Sequence, residues 1–276
     1  MRCLSVAFAA AAMLCGVSGP ATAGDLFVPA VSFPASRTSV PDRAIDVLGL
    51  VPGLSVEEAR AALAAIHDPG AITEHTTAFT IGARGVSVQT EEFLGTMEAG
   101  RSDDRIEIFF AGPAAENQSF AVERVVRYPQ VLTAPTVAAI AEALIAKYGT
   151  PSYNSRDFRE TVSPEMVWSF AGEAQISCMG FGGYGSGQGC PVAWTLLEYA
   201  PHRLDAIARE PLGFDLVIVA KLETHREDRT KVAGFTVTVS DLLRRKRAAA
   251  ADTAAMVAEL ERVHAEASNP VSAPAL

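Results

Sequence analysis

Two stretches of the chain carry apolar residues at helical spacing, and each is followed by a series of short alternating segments. In "GLSVEEARAALAAIH", Val56, Ala59, Leu63 and Ile66 recur at three- and four-residue intervals and share one face. Ser55 with Glu58 three residues later forms a capping box, in which each satisfies a backbone N–H that the helix start leaves without a partner. "TAPTVAAIAEALIAKYGTP" puts Val137, Ile140, Leu144 and Tyr148 on the equivalent stripe, with Gly149 at the C-terminal stop and Pro151 against continuation.

After the first helix come the strand candidates "TAFTIGA", "GVSVQTEEF", "RIEIFFAG" and "FAVERVVRY". After the second come "EMVWSFAG", "AQISCMG", "AWTLLEYA" and "FDLVIVAKLET", the last alternating most clearly from Phe214 to Leu222. Aligning Ser55 with Thr136 gives an offset of 81 residues that also matches Val56 with Val137 and Leu63 with Leu144. "THREDRTK" has the composition of a hairpin tip, "GFTVTV" that of a final strand, and Asp241 caps a closing helix with Met256, Leu260 and Val263 as its stripe. The fold class expected is α+β: two tandem helix-plus-antiparallel-sheet units, over residues 45–130 and 131–240, then a long C-terminal helix over 241–267 and a loose tail over 268–276.

The N-terminus changes the picture of compartment. Arg2, an apolar run from Val6 to Val17 and Ala21-Thr22-Ala23 together read as a signal peptide over residues 1–23, cleaved after Ala23. Leu14 is too large to precede a lipidated Cys15. Residues 24–44, punctuated by Pro29, Pro34 and Pro41, read as an extended Pro-rich arm. The expected location is periplasmic or secreted, with no transmembrane segment after cleavage. Loss of Arg2 takes the net charge from −9 to −10, which disfavours nucleic acid as a partner.

Cleavage leaves two cysteines, Cys178 and Cys190, bracketing "MGFGGYGSGQG". In an exported chain the default is a disulfide, worth about 3 kcal/mol for a loop of that size. The literal G-x-G-x-x-G inside it (Gly180, Gly182, Gly185) lacks the helix that a dinucleotide fingerprint needs, because Pro191 and the strand-like "VAWTLLEYA" follow. No cofactor is expected.

"LGLVPGLSVEEARAAL" resembles the opening of the small lipoprotein family of the outer-membrane β-barrel assembly machinery (the SmpA/OmlA type), whose motif is Gly, an apolar residue and Ser or Thr, then a helix ending near Gly-x-Pro. Gly53-Leu54-Ser55 matches the start in the first unit and Gly149-Thr150-Pro151 the end in the second. The resemblance implies a helix-then-antiparallel-sheet fold of the kind also found in the secreted β-lactamase inhibitor protein. This chain differs in having no lipobox, two units and a long closing helix.

Candidate chemistry is sparse. No serine sits in G-x-S-x-G, and no two of His67, His75, His202, His225 and His264 are three or four residues apart, the spacing of a helical metal pair. No catalytic or metal-binding residue is therefore assigned. Candidate interaction surfaces are Phe181 and Tyr184 on the glycine-rich loop, as aromatic anchors, and the basic run Arg244, Arg245, Lys246 and Arg247, against an anionic envelope surface. The expected function is an exported, non-enzymatic binding or envelope-associated protein, with an envelope protein or that anionic surface as partner. The alternative is a periplasmic hydrolase whose site is assembled from His75, His202, Asp205 or His225.

Overall fold

The structure is a computed structural model, described here over residues 39–40, 43–83, 85–155, 164–177, 196–211 and 213–268. The first half contains β1 (Ser39–Val40), β2 (Arg43–Ala44), α1 (Val56–Ile66), β3 (Ile72–Thr77), β4 (Thr80–Ala83), β5 (Val86–Gln89), β6 (Phe93–Arg101), β7 (Asp104–Phe110) and β8 (Ser119–Arg127). The second contains α2 (Val137–Tyr148), β9 (Tyr153–Asn154), β10 (Glu165–Ala171), β11 (Ala174–Ile176), α3 (Leu204–Arg209), β12 (Leu216–Thr224), β13 (Val232–Asp241) and α4 (Leu242–Ser268).

Each of α1 and α2 leads into an antiparallel meander, β3-β6-β7-β8 after α1 and β9-β10-β12-β13 after α2, with β11 a further partner of β10. The meanders join through their last strands, β8 against β13, into one sheet of nine strands. The fold is thus α+β, two helix-plus-antiparallel-sheet units closed by a long C-terminal helix. Consecutive strands joined by short turns make local antiparallel pairing the cheap solution.

Both helices begin as their sequences require. Ser55 Oγ accepts from Glu58 N at 3.2 Å while Glu58 Oε2 accepts from Ser55 N at 2.8 Å. Thr136 Oγ1 accepts from Ala139 N at 3.1 Å, and α2 stops at Gly149, whose φ of 79° suits glycine. Both helices pack on the same face of the sheet. Leu63 of α1 and Leu144 and Tyr148 of α2 share one core with Ile106, Ile108, Trp168, Ile218 and Val239. The two units therefore have a single core. Trp168 is fully buried, donates Nε1–H to Gly149 O at 2.7 Å and lies 5.4 Å from the Tyr148 ring, so the end of α2 is pinned to the middle of β10.

Several elements differ from the sequence reading. Residues 39–40 and 43–44, assigned to the arm, pair as β1 and β2 and are packed: Val40 is in the core, and Arg43 donates to Tyr148 O at 3.2 Å and Gln175 Oε1 at 3.0 Å. β3 ("ITEHTT") lacks the alternation that marks a strand, because it is exposed along nearly its whole length, and β6 ("FLGTMEAGR") alternates only from Met97 on, its first two residues both being buried. The described part of "AWTLLEYA", residues 196–200, is not a strand; it crosses the second face of the sheet, where Leu196 and Leu197 pack inward. The segment holding Cys178, Phe181, Tyr184 and Cys190 lies outside the described residues, as do the signal-like 1–23 and residues 269–276. No described helix is long and apolar enough to cross a membrane.

Candidate functional site

The second face of the sheet, opposite α1 and α2, holds the candidate site. One row of directly paired residues crosses it from edge to edge: Thr73, Glu98, Glu107, Glu123, Thr238, Val219, Val167 and Tyr153. The row is polar on the β3 side and apolar on the β10 side. On the β10 side it is sealed, since Val167, Val217 and Val219 pack with Leu196 and Leu242. On the β3 side it borders a cleft.

The cleft encloses about 280 Å³ between the sheet and residues 197–199. Thr96, Phe109 and Phe120, on β6, β7 and β8, line it from the sheet, while Leu197 and Tyr199 line it from the opposite side. His75, Thr76 and Thr77 form the lining at the edge strand. A chain of aromatic rings runs along its wall, with Phe79 behind the lining: Phe109 to Phe120 at 6.4 Å, Phe120 to Tyr199 at 5.2 Å, Tyr199 to Phe79 at 5.9 Å and Phe79 to Phe93 at 4.7 Å. Such contacts hold a concave apolar surface in shape without a ligand.

Helix α4 fixes that aromatic wall. Its Asp252, 2% exposed, accepts from Tyr199 Oη at 2.6 Å, from Gly112 N at 2.9 Å and from Ala114 N at 2.9 Å. Burial pushes the Asp252 carboxyl up to about 6 despite these three donors, and burial beside it raises the Tyr199 hydroxyl well above its usual range. Gly112 must be glycine here, because a Cβ would collide with the Asp252 carboxylate. Asn117, in the left-handed region with φ 50°, donates Nδ2–H to Leu94 O at 2.7 Å and Ala111 O at 2.8 Å, tying the start of β6 to the turn after β7.

Beside the cleft, Glu98, Glu107 and Glu123 stand side by side on three adjacent strands. Like charges directly opposite repel, so such a row costs stability. Arg105 answers two of them, 3.3 Å from Glu98 and 3.8 Å from Glu107, and Thr238 Oγ1 donates to Glu123 at 2.9 Å. Burial, with neighbouring carboxylates adding to it, still raises the Glu107 and Glu123 carboxyls above the usual range.

The residues singled out from sequence fall elsewhere. Arg244 and Arg245 are 2% and 4% exposed. Arg244 donates to Gln118 Oε1 and lies 3.6 Å from Asp241, while Arg245 donates to Glu198 O at 2.9 Å and lies 3.6 Å from Glu210. Lys246 donates to Glu210 O at 2.6 Å, and Arg247 is exposed. The basic run is therefore a clamp that fastens the start of α4 to its neighbours, not a cationic face. It also holds the 196–200 segment through Glu198.

The residues raised for hydrolysis are dispersed. His75 is at the cleft rim, His202 is exposed before α3, Asp205 on α3 pairs with Arg209, and His225 lies between β12 and β13. Among the described residues, the one histidine–carboxylate ion pair is His225 with Glu227 at 3.9 Å. Also among them, no three His, Cys, Asp or Glu side chains group to hold a metal.

The sequence reading missed Thr96, Phe109, Tyr199 and the glutamate row. Glu107 and Glu123 interrupt apolar strands at alternate positions, which signals a face that is not fully apolar. Their side-by-side placement depends on strand register, which no local pattern specifies. No protein-family model matches the chain, and no curated protein or solved structure matches it.

Proposed function

We propose that the protein is an exported, non-enzymatic binding protein whose ligand enters the cleft between the β3 edge and Tyr199. The observation that carries this reading is the wall of packed aromatic rings around an open space of about 280 Å³, with hydroxyls and an imidazole at its rim. Apolar walls supply the burial and a few polar groups orient the ligand. Export rests on the signal-like residues 1–23, and the partner expected in that compartment is an envelope protein. The cleft takes one projecting group of such a partner. Hydrolysis is not favoured, because among the described residues His75 reaches the cleft with no hydrogen bond or ion pair to a carboxylate, Glu107 acting on it only at longer range.

The test is an NMR titration of the mature protein with phenol, indole and benzylamine as separate probes. Amide shifts at His75, Thr96 and Phe109 are expected, and filling the cleft with Thr96→Trp should abolish them. If no probe perturbs those amides at millimolar concentration, the cleft is not a binding site.

A further inference from the structure

The cleft opens at a sheet edge, and among the described residues that edge has no partner strand. β3 ends the strand order, and its residues Glu74, His75, Thr76 and Thr77 are all exposed. Over Ile72–His75 its register with β6 is regular; the bulge falls between His75 and Thr76, at the cleft. A strand edge of this kind presents N–H and C=O groups ready to pair with another chain.

Side chains of a strand added here would enter two existing rows. A residue beside His75 continues the row of His75, Thr96 and Phe109, which leads into the cleft. A residue beside Thr73 continues the row of Thr73, Glu98, Glu107 and Glu123. Successive positions on one face are about 7 Å apart, so the two residues must be two apart in the added strand. The cleft and the free edge define the site, and charge selects the occupant of the second position. Thr73 is short, so a long side chain beside it can extend over it toward Glu98. Among the described residues, Arg105 is the one arginine or lysine paired with that row of three carboxylates.

Resting on the reading of the cleft given above, we infer that the partner docks an extended segment against β3, placing an aromatic residue in the cleft and a lysine or arginine two positions away over the glutamate row. All pairing in this sheet is antiparallel, so the added strand is taken as antiparallel to β3. The backbone supplies hydrogen bonds, the aromatic ring supplies burial and the cation relieves the repulsion along the row.

The probe is the capped peptide Thr-Phe-Thr-Lys-Thr, titrated into the mature protein and followed by NMR, with three comparisons. Replacing Lys by Glu should weaken binding by at least about fivefold, the scale of a partly screened charge contact. Moving Lys next to Phe (Thr-Phe-Lys-Thr-Thr) puts the two side chains on opposite faces and should weaken it similarly. In the protein, Thr73→Lys puts a resident cation in the row and should reduce affinity for the lysine peptide by more than Thr73→Gln, which is similarly long but uncharged. Thr73 is exposed, so neither substitution threatens the fold. If indole and phenol occupy the cleft but the Lys and Glu peptides bind equally, or neither binds, this inference is wrong and the cleft reading stands. If the small aromatic probes also fail, both fall.

Discussion

The single row from Thr73 to Tyr153 compares the two units on equal terms, because it crosses both at the same level of one sheet. In the second unit it is Val219, Val167 and Tyr153, capped by Leu196 and Leu242. In the first it is Glu98, Glu107 and Glu123, and the cap stops at Tyr199. The opposite face shows no such split, since α1 and α2 cover both meanders with one core. Stability needs one face of an antiparallel sheet buried; the other is free to differ. Here one half of it is closed by the covering segment and the other is left as polar surface around an aromatic cleft.

The sharpest way to break this comparison is to exchange the two chemistries. Val167→Glu puts a carboxylate among Tyr153, Val219 and Leu196 with no partner, and should cost about 4 kcal/mol or more in urea unfolding. Glu123→Val on the open half should cost no more than about 2 kcal/mol, since it removes a half-buried carboxylate and leaves one buried donor, the Thr238 hydroxyl, without its acceptor. Comparable losses from both would show that the halves are not different environments.

The next largest effect is at the seam between the halves. Asp252→Ala leaves Gly112 N, Ala114 N and Tyr199 Oη without their acceptor in a buried place. A loss of about 2–3 kcal/mol is expected, together with weaker binding of phenol or indole in the cleft because Tyr199 is released. A variant that binds the probes normally would mean that the cleft wall does not depend on α4.

Helices α1 and α2, their caps, the closing helix and the antiparallel α+β class were legible in the sequence, because each follows from short-range periodicity and capping, whereas the short α3 was not. The cleft was not. Tyr199 sat in a segment that reads as a strand, and its bond to Asp252 joins residues 53 positions apart. The basic run reads as surface from its charge, yet Arg244 and Arg245 are buried because acceptors from Gln118, Glu198 and Glu210 converge on them. Such convergence is set by tertiary packing, which local pattern does not encode.

A smaller effect separates the halves by pH. Asp252 titrates at about 6 in the folded chain against 3.8 ordinarily, so between those values the folded state holds more protons than the unfolded one. Stability therefore falls as pH rises through that window, and acidification from pH 7 to 5 should add about 1 kcal/mol. Glu107, Glu123 and Glu165, all raised chiefly by burial, act in the same direction. Below about 4 the sign reverses, because Asp104, held below its usual range first by its hydrogen bond from Arg124, loses that partner's support on protonation. Asp252→Asn should lose most of the gain when urea midpoints are compared at pH 7 and 5. A wild-type protein that weakens over this interval would contradict the burial of charge at the seam.

The smallest effect tests the glutamate row itself. Glu107 has a carboxylate neighbour on each side, and Arg105 at 3.8 Å is shared with Glu98. Glu107→Gln keeps the shape and removes the middle charge, so stability at pH 7 should rise by about 0.5 kcal/mol, the scale of a cross-strand pair. At pH 4, where carboxyls raised in this way are largely protonated, the variant and the wild type should be indistinguishable. The same substitution should weaken the lysine peptide, because it takes away part of what attracts the cation. Opposite signs for stability and for binding are the signature of charges kept for a partner and not for the fold. If Glu107→Gln instead destabilises at pH 7, Arg105 more than offsets the repulsion, and the row belongs to the structure.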